Sequence, residues 1–183
     1  MHEILSMRFS KFVLKVWGWK MVGTIPKERK FIAVEAPHTS MWDFVIGRLF
    51  FYSIGYKPRF LMKKELFFFP FGWFLKRMGG IPVDRTKKGD MVDRMAQKFA
   101  SEKDLFLIIT PEGTRKKVNE WKLGFYYIAK SANIPIVPAY LDYGSKTIGV
   151  GPSFYVSDKV TDDISRIKDF VKNAVPKHPA LYS

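Results

Sequence analysis

Residues 31–44 read FIAVEAPHTSMWDF, and their reading sets the fold. The apolar run Phe31 to Val34 predicts a short buried strand. Pro37 lacks a backbone donor and ends it, so Ala36-Pro37-His38-Thr39 forms a loop. Ser40 then stands three residues before Asp43, a capping-box spacing that predicts a helix start, followed by the apolar Phe44-Val45-Ile46 and Leu49-Phe50-Phe51. His38 therefore sits in a strand-to-helix loop. In open α/β sheets, ligands bind in loops beyond the carboxyl ends of parallel strands.

Outward from this stretch the pattern repeats. Pro58 to Met62 suggests a second strand. Gly79-Gly80 makes a turn before a short strand, 81–85, whose end presents Arg85. Residues 90–102 carry Met91, Val92, Met95, Ala96, Phe99 and Ala100 at helical spacing, and 104–109 form an apolar strand broken at Thr110-Pro111-Glu112-Gly113-Thr114-Arg115. A helix over 123–132, strands over 134–140 and 148–156, and a closing helix over 164–174 complete the reading. The Pro-flanked tail at 176–179 is expected to be loose. Strands alternating with helices, without internal repeats, predict an α/β single domain: a central, mostly parallel sheet flanked by helices. Residues 1–20 are expected to add an N-terminal amphipathic helix and 21–183 to form the core.

In residues 4–19, Leu5, Phe9, Phe12, Val13, Val16 and Trp17 share one helical arc, and Arg8, Lys11 and Lys15 another. Two readings stand: a helix packed on the core with its lysines solvated, or one lying in a membrane interface. The segment LFFFPFGWF, 66–74, holds six aromatics in nine residues. Too irregular for a regular helix, it is either buried core or a surface for lipid or an acyl chain. No uncharged stretch reaches the ~18 apolar residues of a spanning helix. Arg8, Lys11 and Lys15 also interrupt any secretory signal, so a cytoplasmic setting is the expectation.

The 31 Lys and Arg against 17 Asp and Glu leave a net charge of +14, which favours anionic partners. No nucleic-acid motif accompanies that charge, and the aromatics lack the basic interleaving of a stacking platform. Without cysteine there is no disulfide framework, thiolate metal site or cysteine nucleophile.

Of the three histidines, His2 is terminal and His178 lies in the tail, which leaves His38 as the candidate base. Asp43, on the first turn of the following helix, is placed to orient it. The alternative is that Asp43 only caps the helix and His38 has no task. One His and one Asp make a poor metal set, so no metal is expected. Ser40 lacks a glycine elbow, which argues against a serine hydrolase. Arg85 and the Glu112–Arg115 turn follow apolar strands, and two arginines beside a glycine turn suit a phosphate-bearing ligand.

The ordered motifs resemble one family. His38-Thr39-Ser40-Met41-Trp42-Asp43 looks like the histidine, four residues, aspartate motif of the glycerolipid acyltransferases related to lysophosphatidic acid acyltransferase. Gly80 to Arg85, Pro111 to Arg115 and Ile134 to Pro138 are similar to that family's later blocks, in the same order, and Lys63 to Leu66 with Pro70 to Trp73 resembles the segment between the first two. The resemblance implies that His38 is a general base, oriented by Asp43, which deprotonates an acceptor hydroxyl. That hydroxyl would attack the thioester of an acyl-CoA or acyl-carrier protein donor, with no other cofactor. Arg85, Glu112, Gly113, Thr114 and Arg115 would shape the site of a lyso-phospholipid acceptor. Pro37, Thr110 and Lys116 depart from the family pattern, so another lyso-lipid or an aminolipid stays open as acceptor, as does a non-catalytic lipid-binding protein of the same fold. The expected setting is the cytoplasmic face of an anionic membrane, bound peripherally.

Overall fold

The computed structural model describes residues 2–84 and 88–182. In chain order the elements are α1 (His2–Val16), β1 (Lys20–Gly23), β2 (Lys30–Glu35), α2 (Met41–Ser53), β3 (Arg59–Lys63), α3 (Phe71–Arg77), β4 (Gly80–Val83), α4 (Lys88–Ser101), β5 (Leu105–Ile109), α5 (Gly124–Ala132), β6 (Ile136–Asp142), β7 (Thr147–Val150) and α6 (Val160–Val171). The strands lie in the order β1-β7-β6-β2-β5-β3-β4. Strands β6, β2, β5, β3 and β4 are parallel, while β7 reverses after a tight turn and carries β1 with it. The expected mostly parallel α/β sheet is what forms.

Alternation along β2 divides the core. Phe31 and Ala33 face one side, packed with Phe50 and Phe51 of α2 and Leu14 of α1. Ile32 and Val34 face the other, under Met95 and Phe99 of α4, Phe125 and Ile128 of α5 and Ile167 of α6. This two-sided burial is why β2 reads as a continuous apolar run. Some of the aromatic surplus lies here: Phe31 stacks on Phe106 at 4.9 Å, and Phe51 and Tyr56 close around the pair. On the second face, the buried Tyr126 hydroxyl reaches Asp163 Oδ2 at 3.1 Å, and the same oxygen accepts the Ser157 amide at 2.6 Å. These bonds fix where α6 begins.

Several expectations are corrected. Residues 71–77 form a seven-residue helix despite their composition, because Gly72 passes over the Phe67 backbone where a side chain would collide. The last strand is only Thr147–Val150, with Phe154 adding an isolated bridge to Ile136. β1 has no apolar pattern and all four of its residues are exposed, so it is held by pairing with β7. The tail docks on the protein. Val175 O accepts the Tyr143 amide at 2.8 Å, and the His178 amide donates to Thr39 Oγ1 at 3.1 Å.

α1 packs on α2 through Ser10 and Leu14, with Met7 reaching Gly55. Its predicted apolar arc points away from the core: Leu5, Phe9, Phe12 and Val16 are each about two-thirds exposed. Residues 66–74 are largely exposed as well, with Phe69 at 91%. Neither segment is buried core. No helix among the described residues is long and apolar enough to cross a membrane.

Gly47 in α2 lies against Glu35, and a Cβ there would stand 2.7 Å from Glu35 Oε2. Alanine is better in a helix by about 1 kcal/mol, but overpacking costs about 1–3 kcal/mol and the buried Glu35 has little room to give way. Gly47→Ala is therefore expected to lose about 1 kcal/mol net, read as a lower urea midpoint; an unchanged or raised midpoint would refute the close approach.

Candidate active site

The parallel strands bring their following loops to one sheet edge. β6, β2 and β5 are neighbours there, so Tyr143, His38 and Glu112 meet although far apart in sequence. Ser40 caps α2 as expected: its Oγ accepts the Trp42 amide at 3.1 Å, and Asp43 completes the capping box. Asp43 does more than cap. Its Oδ2 lies 3.1 Å from His38 Nδ1 and accepts the amides of Thr39 and Ser40, each at 2.8 Å; its Oδ1 accepts the Tyr143 hydroxyl at 2.6 Å.

Three carboxyls lie buried together: Glu35, Asp43 and Glu112 are 4%, 1% and 3% exposed. Burial alone would raise all three pKa values. For Asp43 it is outweighed by hydrogen bonds from His38, Tyr143 and the Ser40 amide, and its pKa falls below 3.8. Glu35 is pushed well above 4.5 by burial, then by Asp43 and Glu112. Glu112 is raised by burial against the opposing effect of the His38 amide. The site thus holds one carboxyl shifted toward the ionised form, Asp43, beside two shifted toward the neutral form. An ionised carboxylate only accepts, so in the neutral imidazole of His38 Nδ1 carries the proton and Nε2 the lone pair. Tyr143, its hydroxyl held by Asp43 and partly buried, has its own pKa raised.

His38 lines a cavity of about 260 Å³ with Glu112, Lys116, Trp121, Lys168, Lys172, Leu181 and Tyr182 among its walls. Glu112 Oε1 accepts the His38 amide at 3.1 Å, while the buried Oε2 has no hydrogen-bond partner among the described residues. Gly113 holds φ +63°, a conformation that favours glycine, and its amide is engaged by Thr110 O at 3.0 Å. Thr114 Oγ1 accepts the Lys116 amide at 3.3 Å. Arg115 is exposed and is not one of the cavity's walls, and Arg85 lies outside the described residues. The structure thus gathers His38, Asp43 and Glu112, with Gly113 and Thr114 in the adjoining turn. Among the described residues no group of three His, Asp or Glu is placed to hold a metal ion.

Sequence reasoning missed Glu35, Tyr143 and the tail. Glu35 was hidden as the last residue of an apolar strand. Tyr143 was traceable only by pairing β6 beside β2, where Ala139 stands opposite Glu35.

A family model described as Acyltransferase matches residues 20–142. The chain belongs to the acyltransferase family. The 1-acyl-sn-glycerol-3-phosphate acyltransferase of Saccharomyces cerevisiae is 30% identical over 138 residues, 70% of this chain and 44% of that protein. The enzyme of the same name from Cocos nucifera is 33% identical over 137 residues, 67% of this chain and 44% of its own length. This acyltransferase-family chain spans less than half the length of these curated relatives. A solved structure, the 1-acyl-sn-glycerophosphate acyltransferase of Thermotoga maritima, superposes with a TM-score of 0.58 over 96% of this chain and 81% of that one; at 18% identity it speaks for the fold.

An acid whose pKa is raised by folding stabilises the folded state while protonated. That contribution is complete below about pH 4.5 and is lost as pH climbs toward the raised value. The melting temperature of the parent protein should therefore fall as pH rises above about 4.5, and Glu35→Gln should flatten the fall, leaving the smaller share of Glu112. Parallel profiles for the two proteins would remove Glu35 from this account.

Proposed function

We propose that the protein transfers a fatty acyl group from acyl-CoA or acyl-carrier protein to the free hydroxyl of a lyso-phospholipid, with 1-acyl-glycerol 3-phosphate the favoured acceptor. The observation that carries this reading is the His38–Asp43 pair at a cavity wall, with Nδ1 committed to Asp43 and Nε2 left to accept a proton. His38 takes the hydroxyl proton as the oxygen attacks the thioester carbonyl. The tetrahedral adduct collapses, the carbon–sulfur bond breaks, and the proton passes from the imidazolium to the departing thiolate. Products are the ester and the free thiol, and no acyl-enzyme is required. Asp43 remains ionised throughout and steadies the imidazolium. The names of the relatives support the choice of acceptor.

The reaction takes place at the surface of an anionic membrane, on its cytoplasmic face. Supporting this are the net charge of +14, the absence of cysteine and the exposed apolar stripe of α1. That stripe continues toward the site: Trp17 meets Trp42 edge-on at 5.7 Å, and Trp42 lies four residues beyond His38. Arg8, Lys11 and Lys15 supply charge for headgroups, and the exposed Phe68, Phe69, Trp73 and Phe74 supply a second apolar contact.

Thiol release from acyl-CoA or acyl-carrier protein in the presence of 1-acyl-glycerol 3-phosphate tests the reading. His38→Ala is expected to lose about 10³-fold in kcat, and Tyr143→Phe roughly tenfold with KM unchanged, both in proteins that keep the parent circular dichroism at the assay temperature; near-parent turnover in His38→Ala would reject the base. Phe9→Ser with Phe12→Ser should abolish pelleting with anionic liposomes, and unchanged pelleting would take α1 out of the membrane contact.

A further inference from the structure

The family match ends at residue 142, yet the cavity does not. Beyond Lys116, its walls include Lys168 from α6, Lys172 just after its last residue, and Leu181 and Tyr182 from the docked tail, so residues outside the match supply a large share of it. Lys168 and Lys172 are four apart, a spacing that brings the last turn of α6 and its cap to one side. The Tyr126–Asp163–Ser157 bonds set the start of that helix and hence the placement of the pair. We infer that Lys116, Lys168 and Lys172 form an anion site that takes the phosphate of the acceptor headgroup, with the acceptor hydroxyl directed to His38 at the other end of the cavity.

Four observations carry this. Among the described residues the cavity's walls include three lysines and one acidic residue, Glu112, whose pKa burial raises. Lys168 lies 5.4 Å from the Trp121 ring centroid, a contact that steers the ammonium without using its N–H donors. Lys172 is 3.2 Å from Asp169, but both side chains are more than half exposed, so that pair is weak and readily exchanged for a phosphate. Glu112 Oε2, buried beside His38 and without a hydrogen-bond partner among the described residues, can accept a hydrogen bond from a hydroxyl or, once protonated, donate one. A polyol bearing a phosphate at one end and a hydroxyl at the other matches this polarity. At about 260 Å³ the cavity falls just under the ~300–1,000 Å³ that encloses drug-sized ligands, which suits a headgroup better than the nucleotide of a large donor. Arg115 is not one of the cavity's walls, whereas three lysines outside the family motifs quoted above are.

The substrate named here rests on the function proposed above, and the experiment separates the two. Ligand-observed NMR with sn-glycerol 3-phosphate and with glycerol reads the site without turnover. The parent protein should bind the phosphate and not glycerol, and Lys168→Gln with Lys172→Gln should weaken binding by roughly tenfold or more, with an effect that shrinks in high salt. Lys130→Gln, an exposed lysine paired with Asp158 away from the cavity, serves as the control and should bind like the parent. In thiol-release assays the double variant should raise KM for 1-acyl-glycerol 3-phosphate by a similar factor. KM for the donor and turnover of phosphate-free monoacylglycerol should stay at parent values. Unchanged phosphate binding in the double variant, or a rise in donor KM in place of acceptor KM, would overturn the assignment. Loss of phosphate binding in a protein that shows no acyl transfer would uphold the site and reject the reaction.

Discussion

One buried carboxylate organises this protein. Asp43 accepts the His38 ring, the Thr39 and Ser40 amides and the Tyr143 hydroxyl, and these donors come from a loop, a helix cap and the end of a neighbouring strand. A buried charge is tolerated when its lone pairs are filled by well-directed donors. Asp43 meets that condition, so α2 begins where it does and the imidazole is held in one tautomer. The same charge helps to keep Glu35 neutral, since two ionised carboxyls sharing so small a volume would repel. Cap, dyad and local electrostatics are therefore one arrangement: changing Asp43 alters all three at once.

The surplus of aromatic residues divides along similar lines. Phe31, Phe51 and Phe106 knit the first face of the sheet, while Phe9, Phe12, Phe69 and Trp73 remain at the surface. Segregation of this kind is unusual for a surface that meets only water, because contiguous apolar patches favour association. The exposed set includes Trp42, the residue just before Asp43, so the apolar surface begins within a few residues of the dyad.

Much of this was legible from residues 31–44 because its signals are local: an apolar run, a proline stop and a cap spacing depend on neighbours in sequence. The parallel sheet followed from alternating apolar strands and helices. What escaped depends on distance. Tyr143 reaches Asp43 across 100 residues, and no periodic pattern marks a hydroxyl aimed at a carboxylate. The tail looked loose because the contacts that hold it, among them the His178 amide on Thr39 Oγ1, Val175 O on the Tyr143 amide and Lys177 over the Trp42 ring, leave no trace in hydropathy. β1 escaped for the opposite reason, since four exposed residues show no alternation and only the pairing with β7 makes them a strand. The amphipathic pattern of α1 announced an apolar face without stating that Ser10 and Leu14, on a different side, would hold the helix down.

The bond between the His178 amide and Thr39 Oγ1 joins residues 139 positions apart. Loop closure over such a span is entropically demanding and tends to come late in folding. Residues 31–44 carry the strand residues, the cap and Asp43, but one support of the loop that holds His38 comes from far along the sequence. The loop that carries His38 is therefore fully braced only once residues 139 positions further along have folded onto it, so order at this site depends on long-range closure as well as on its own local signals.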